Sequence, residues 1–235
     1  TEIYTLSLHD ALPILDKHDV DETNFVATVG NIMGTFQREH VVPEIDAYRL
    51  SMLAAKAPED NIKEGYTPSR EDIVYEIKLG INKIRKTGYN GPLVIHMTYD
   101  ALLELEMAML GKITDTTFSV GGIDTTVPSI DRVPIIETPE NRMYTSIELY
   151  DGKTAGQEVG GYTKGADAQD INFIIVARTT PIAVTKQDSM RIFDPETNQK
   201  ANAWAMDYRR YHDLWVKDKQ ATNIYVNTKG AAVEG

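Results

Sequence analysis

Residues 22–57 constrain the fold more than any other stretch of the chain. Asp21-Glu22-Thr23-Asn24 combines helix N-capping residue types with acids that suit the positive end of a helix. Phe25, Val29, Ile32 and Phe36 then recur at spacings of four, three and four, and the apolar stripe resumes at Ile45, Tyr48, Met52 and Ala55. Pro43 stands between the two halves. It has no amide hydrogen, so a kink is expected there, and Pro58 closes the segment. A continuous helix from Glu22 to Ala57 would be ~54 Å long. A compact domain of this size has a radius of gyration of roughly 17–18 Å, hence a diameter of ~45 Å. The rod is longer than the globule that should contain it. Either the chain folds back at Pro43 or the molecule is flat and elongated.

Downstream, residues 58–68 read as a polar loop. Ser69 and Asp72 have capping-box spacing ahead of Ile73, Ile77, Ile81 and Ile84, a second amphipathic helix that ends at Gly88. After the turn Asn90-Gly91-Pro92 comes a short buried strand, Leu93–Met97. Thr98 then caps a third helix, apolar on most sides (Leu102, Leu103, Leu105, Met107, Met109, Leu110), for which full burial is expected. From residue 114 the pattern turns to β. A hairpin is expected from Thr117–Val120 and Ile123–Val127 around Gly121-Gly122, followed by a strand at Val133–Glu137. Residues 151–170 hold five glycines and read as a surface loop. Ile171–Ala177 and Pro181–Lys186 are expected strands. In Trp204–Val216, the residues Trp204, Met206, Tyr208, Leu214 and Val216 face one way, while Asp207, Arg209 and Asp213 face the other. Asp218-Lys219 turns the chain, and Thr222–Val226 is expected to pair back. The fold class is α+β.

Composition and motif chemistry narrow the function. The net charge is −11, and no run of Lys or Arg exceeds two, which disfavours a role in gripping nucleic acid. With no cysteine there is no disulfide, thiolate nucleophile or cysteine zinc site. No segment approaches the ~18 consecutive apolar residues of a membrane span. There is no Gly-x-Ser-x-Gly elbow, and residues 156–161 lack the lysine and spacing of a phosphate loop. No two of the five histidines stand four apart, so no helical zinc pair is expected. His96 reads as a core or rim histidine of an apolar strand. His212 and Asp213 are strand neighbours and face opposite sides; Glu104 and Glu106 do not face each other on their helix. Trp204, Tyr208, Tyr211 and Trp215 fit core or subunit contact better than a ligand platform. No catalytic residue, metal or cofactor is assigned, and an enzyme is not expected.

Two stretches carry a resemblance. Residues 19–54, DVDETNFVATVGNIMGTFQREHVVPEIDAYRLSMLA, resemble the spine helix of tailed-bacteriophage major capsid proteins, with Arg38, Val41 or Val42, Pro43, Glu44, Ile45, Asp46, Ala47, Tyr48 and Arg49 matching. Residues 171–216 resemble the family's last strands, marked by Ile192-Phe193-Asp194-Pro195 and by Tyr208-Arg209 with Tyr211-His212-Asp213. The similarity covers nearly all of residues 16–229. It implies the Hong Kong ninety-seven phage-like fold: a spine helix at 16–63, an axial domain at 64–180, peripheral-domain strands at 181–229 and a flexible tail at 230–235. It further implies a subunit that self-assembles into hexamers and pentamers, works with scaffolding and portal proteins, and encloses double-stranded DNA without reading its sequence. Its place would be the virion, after assembly in the bacterial cytoplasm, with no membrane and no cofactor. Candidate structural or interface residues are Phe25, Phe36, Pro43, Tyr48, Arg49, Trp204, Tyr208, Tyr211 and Trp215. The alternatives are an encapsulin-like nanocompartment shell, or a hydrolase or ligand binder using the glycine loop and Asp213. Thr1–Leu15 resembles the translation of sequencing-adapter DNA and is expected to be non-native. The resemblance puts the family's extended loop ahead of Asp16, where that segment stands.

Overall fold

In the computed structural model, Val29–Phe36 (α1) and Val42–Lys56 (α2) follow one another without a loop, joined by a π-helical turn at Gln37–Val41. The structure describes residues 29–110, 112–120, 122–151, 153–157, 160–198 and 203–229, and the backbone pairing of 4–7 and 14–16. The expected helix start at 21–24 and Phe25 lie outside the described residues. In an α ladder Pro43 would have to bond the Glu39 carbonyl, and it has no hydrogen to do so. The ladder opens just before it instead, where the Val42 N–H reaches back five residues to the Gln37 carbonyl. The break expected at Pro43 therefore takes the form of a wider turn immediately upstream. That turn also sets the buried face. Eight α-helical residues rotate about 80° beyond two whole turns, and one extra residue wound into a turn removes about 100°. Met33 and Val41 thus return to nearly the same face, and both are buried in one cluster with Ile45. In α2 the expected stripe holds at Ile45 and Tyr48, but Met52 is half-buried and Ala55 exposed. Burial there extends around the helix to Ala47, Leu50, Leu53 and Ala54.

The chain divides into two compact units, with one division between Asp46 and Ala47, inside α2. The first comprises residues 1–46, 148–163 and 183–214. Its sheet is built around the long strand Ala203–Val216 (β12). Tyr4–Ser7 (β1) pairs antiparallel with it, Tyr4 opposite His212, and Ile14–Asp16 (β2) pairs antiparallel at Ala203–Ala205. Pro181–Phe193 (β11) lies on its other side. β11 runs seven residues beyond the expected strand end at Lys186. Most of it is exposed, so no apolar alternation marks its length. Met206 and Tyr208 of β12 close onto Met33, Val41 and Ile45.

The second unit comprises residues 47–147, 164–182 and 215–235. Its seven-stranded sheet runs Ile62–Lys63 (β3), Ile224–Thr228 (β13), Ile171–Ala177 (β10), Leu93–Thr98 (β4), Val133–Thr138 (β7), Ile123–Ile130 (β6) and Thr114–Val120 (β5). The central pair β10 and β4 is antiparallel, and β4 and β7 are parallel. The segment Thr222–Val226, expected to pair back on the preceding strand, instead runs from a 3₁₀ turn at Asp218–Asn223 into β13, which enters this sheet beside β10. Every residue of β10 is buried, as a run apolar at every position but Asn172 requires of a strand covered on both faces. Inside 151–170, Tyr162–Lys164 (β9) pairs with Ile147–Leu149 (β8), and Asp151 accepts hydrogen bonds from the Lys153 and Thr154 amides. The described part of that stretch therefore holds a small sheet and a hydrogen-bonded turn.

Ile73–Lys86 (α3) and Tyr99–Ala108 (α4) cover the sheet. Ile73, Ile77 and Ile84 are fully buried as their spacing predicts. Ser69 and Asp72 meet, but side chain to side chain: the Ser69 hydroxyl donates to Asp72 Oδ1 at 2.7 Å, and so does the Tyr66 hydroxyl. Gly88 closes α3 at φ 91°, where a side chain is strained. The Thr98 hydroxyl accepts from the Ala101 amide and caps α4 as expected. Burial of α4 is one-sided, contrary to expectation. Leu102 and Leu105 are buried, while Leu103 is 55% and Leu110 73% exposed.

Gly80, in the middle of α3, is where helix and sheet approach most tightly. A Cβ there would stand 2.6 Å from Tyr225 Cδ1 and 2.8 Å from Ile175 Cδ1. Gly80→Ala is expected to destabilise the protein by about 1–2 kcal/mol, overpacking outweighing the ~1 kcal/mol gain in helix propensity. Urea unfolding measures it; a stabilised variant would show that the helix can lift away at no cost.

Candidate functional site

The candidate residues divide between the two units. In the first, Phe36, Trp204 and Tyr208 come together. Phe36 meets the Tyr208 ring edge-on at 6.3 Å and stacks on His40 at 5.5 Å. Trp204 packs against the same cluster. Tyr208 is buried, and burial together with a hydrogen bond to Asp188 raises its phenol above the usual value. Asp188 in turn pairs with Arg210 at 3.3 Å across β11 and β12. Pro43 and Tyr211 are half-buried in this unit. In the second unit Tyr48 is buried within α2, and its carbonyl accepts from the Ser51 hydroxyl at 2.8 Å. Arg49 is half-buried. Trp215 is 51% exposed, on the face of β12 opposite Leu214. The four aromatics of 204–215 therefore do not form one buried stripe: Tyr208 is in the first unit's cluster with the partly buried Trp204 packed against it, Tyr211 is half-buried and Trp215 is exposed. Asp213, expected outward, is buried, and its Oδ1 accepts from the Leu214 amide at 2.7 Å.

The residues weighed as catalytic are not brought together. Glu104 pairs with Arg70 at 3.3 Å, whereas Glu106 lines a surface cleft. His96 lies mid-strand in β4, and desolvation holds its imidazole down to about 4. No group of three or more metal-binding side chains is assembled among the described residues, and no helix among them is long and apolar enough to cross a membrane.

Among the described residues, Glu44 is the strongly perturbed carboxylate. It stands half-buried in α2, and desolvation pushes it up from 4.5 to about 7. The folded protein therefore binds this proton more tightly than the unfolded chain. The contribution is full below about pH 4.5 and is lost as pH rises through about 7. Glu44→Gln is expected to remove this slope and to stabilise the protein at pH 8 by roughly 1–2 kcal/mol, the full shift being reduced for partial solvent screening. Identical pH profiles for the variant and the parent would rule out a buried, uncompensated carboxylate.

Two surface clefts lie in the second unit. One, of about 340 Å³, joins Met109, Leu110 and Ile113 to the carboxylates Glu106, Asp115 and Glu137. The other, of about 420 Å³, brings together Arg85, Arg132 and Arg178 beside Phe118. Neither was legible as a site in the sequence, because each gathers residues from three or more separate elements.

No protein-family model matches the sequence, and no curated protein does. Solved structures do match. The capsid of the cyanophage P-SCSP1u superposes with a TM-score of 0.62 at 9% identity, over 98% of this chain and 73% of that one. The mature capsid of bacteriophage PhiM1 gives 0.58 at 13% identity, over 97% and 71%. The holo-SrpI encapsulin complex from Synechococcus elongatus PCC 7942 gives 0.54 at 12%, over 99% and 75%. Identity this low leaves the backbone arrangement as the shared property. With a helix running from α1 into α2, the β12 sheet, and a seven-stranded sheet covered by two helices, this chain has the Hong Kong ninety-seven-like fold.

Proposed function

We propose that the chain is a shell subunit, the major capsid protein of a tailed, double-stranded-DNA bacteriophage. The observation that carries this reading is the breadth of the match: 97–98% of the chain superposes on capsid structures of two phages. The role is mechanical. Many copies associate edge to edge as hexamers and pentamers, each contact modest, and closure of the shell makes the sum strong. In this reading the peripheral domain, residues 16–63 and 181–229, takes in most of the first unit, and the axial domain, residues 64–180, most of the second. Phe36, Trp204 and Tyr208 stiffen the first, while Tyr211 and the exposed Trp215 offer contact area. A net charge of −11 gives an inner face that keeps packaged DNA from adhering. Scaffolding and portal proteins are the expected partners. Assembly takes place in the host cytoplasm, and the virion is the final location.

A second reading is an encapsulin-like compartment, favoured by the encapsulin match across 99% of the chain. Electron microscopy of the purified chain tests both. Closed shells are the expected result, with packaged DNA marking the phage reading and an enclosed enzyme the compartment. A discrete monomer overturns both, and turnover of a substrate by that monomer would mark an enzyme in their place.

A further inference from the structure

The two clefts of the second unit are opposites. The arginine cleft is lined by Arg85, Arg132 and Arg178 together with apolar surface from Pro92, Val133 and Pro134. Its one carboxylate, Asp131, is already paired with Lys78 at 3.4 Å. In a chain of net charge −11, three arginines converging beside apolar surface form a local reversal of sign. Two of them are held in place. The Arg85 guanidinium donates to the Gly91 carbonyl at 2.7 Å, and Arg178 lies over the Phe118 ring at 4.7 Å while donating to the Ser119 carbonyl at 3.0 Å. Arg132 is set at the tip of the two-residue β6–β7 turn at φ 65°, next to Asp131 at φ 50°. Such a turn is normally made by Asn-Gly, and an arginine in the left-handed region costs about 1–2 kcal/mol. Bearing that cost keeps a guanidinium at the cleft.

The other cleft has the inverse character. Glu106, Asp115 and Glu137 line it with Met109, Leu110 and Ile113, and no Lys or Arg does. The apolar surface continues along α4 and the turn after it, where Tyr99, Leu103, Met107 and Leu110 are exposed at spacings of four, four and three. Three carboxylates beside apolar surface match three arginines beside apolar surface.

We propose that these clefts are the two halves of one contact between copies of this chain, the arginine cleft of one copy receiving the acid-lined end of α4 of the next. Because the two halves are different surfaces, the contact is heterologous: it propagates head to tail and closes into a ring if the rotation allows. Apolar burial supplies adhesion, and the charges supply register and exclude wrong partners. The inference rests on the shell-subunit reading and deepens it by naming the surface through which copies meet.

Two charge-reversed forms of the full chain test it: Glu106→Lys with Glu137→Lys, and Arg132→Glu with Arg178→Glu. All four positions are exposed, and unfolding curves confirm that each form folds. Sedimentation and electron microscopy of the unaltered chain first report whether copies associate. Each reversed form alone should need roughly a hundredfold or more higher concentration to associate, because like charges then face each other. An equimolar mixture should associate again, since each form presents the charge the other lost. Reversed forms that assemble alone like the parent overturn the contact and leave the shell reading standing. Loss without recovery in the mixture also overturns the pairing. An unaltered chain that stays monomeric overturns the shell reading itself, and the contact with it.

Discussion

Asn172→Asp is expected to cost about 3–5 kcal/mol of stability at pH 7, although it changes a single amide to a carboxylate of the same shape. Asn172 is fully buried in β10. Its Nδ2 donates to the Tyr66 carbonyl and to Asn227 Oδ1, both at 2.8 Å, tying the loop before α3 and the neighbouring strand β13 to the centre of the sheet. An aspartate would aim oxygen at two acceptors. Turning the Asn227 amide could relieve one of these oppositions, but the Tyr66 carbonyl has no hydrogen to offer. Desolvation and this repulsion raise the new carboxyl's pKa in the folded state. The sign of the pH dependence follows. Protonated, the side chain donates to Tyr66 and the defect is small. The defect opens as pH rises above the unfolded value of about 3.9, because the unfolded chain then releases a proton the folded one must keep or lose at a cost. Urea unfolding between pH 4 and pH 7 measures it. Parent-like stability at pH 7 would show that this amide pair is solvated and does not hold the sheet.

Phe173→Ala should cost about 3–5 kcal/mol at any pH in that range. The ring is fully buried and stacks on Tyr225 at 6.2 Å, one strand away. Tyr225 cannot follow into the vacated space without leaving Gly80, against whose Cα its ring is already packed. The hole is therefore retained or exchanged for another between α3 and the sheet, and a retained cavity adds its own term to the lost burial. Phe173→Leu should recover roughly half the loss, since most of the volume returns. A cost under about 1 kcal/mol for alanine would mean the site collapses, which a close-packed helix and sheet forbid.

The local grammar of the chain was legible before any coordinates. Helix α3 follows from isoleucines at 73, 77 and 84 with Gly88 behind them, α4 from the hydroxyl of Thr98, and β10 from seven residues with no outward polar phase except Asn172. Asn172 was not distinguished from its apolar neighbours, because its partners on Tyr66 and Asn227 lie 106 and 55 residues away. The long helix was legible too, and so was the disturbance at Pro43, but not its form. A proline states that a ladder bond is missing. Whether the helix kinks or widens depends on what Met33, Val41 and Ile45 must touch.

Partners fell outside that grammar. Strand β13 carries an ordinary apolar pattern, and nothing local says that it joins β10 and β3 instead of turning back on β12. For α4, apolar residues on most sides left the buried face undetermined. The sheet took Leu102 and Leu105 and left Leu103 and Leu110 to solvent. The two oppositely charged clefts exist only because segments distant in sequence line them together. Periodicity, caps and turn residues act within a few peptide units, so the sequence by itself determined which segments are helix and which are strand. The pairing of strands and the choice of exposed face depend on burial summed over the whole fold, and only the tertiary structure decided them.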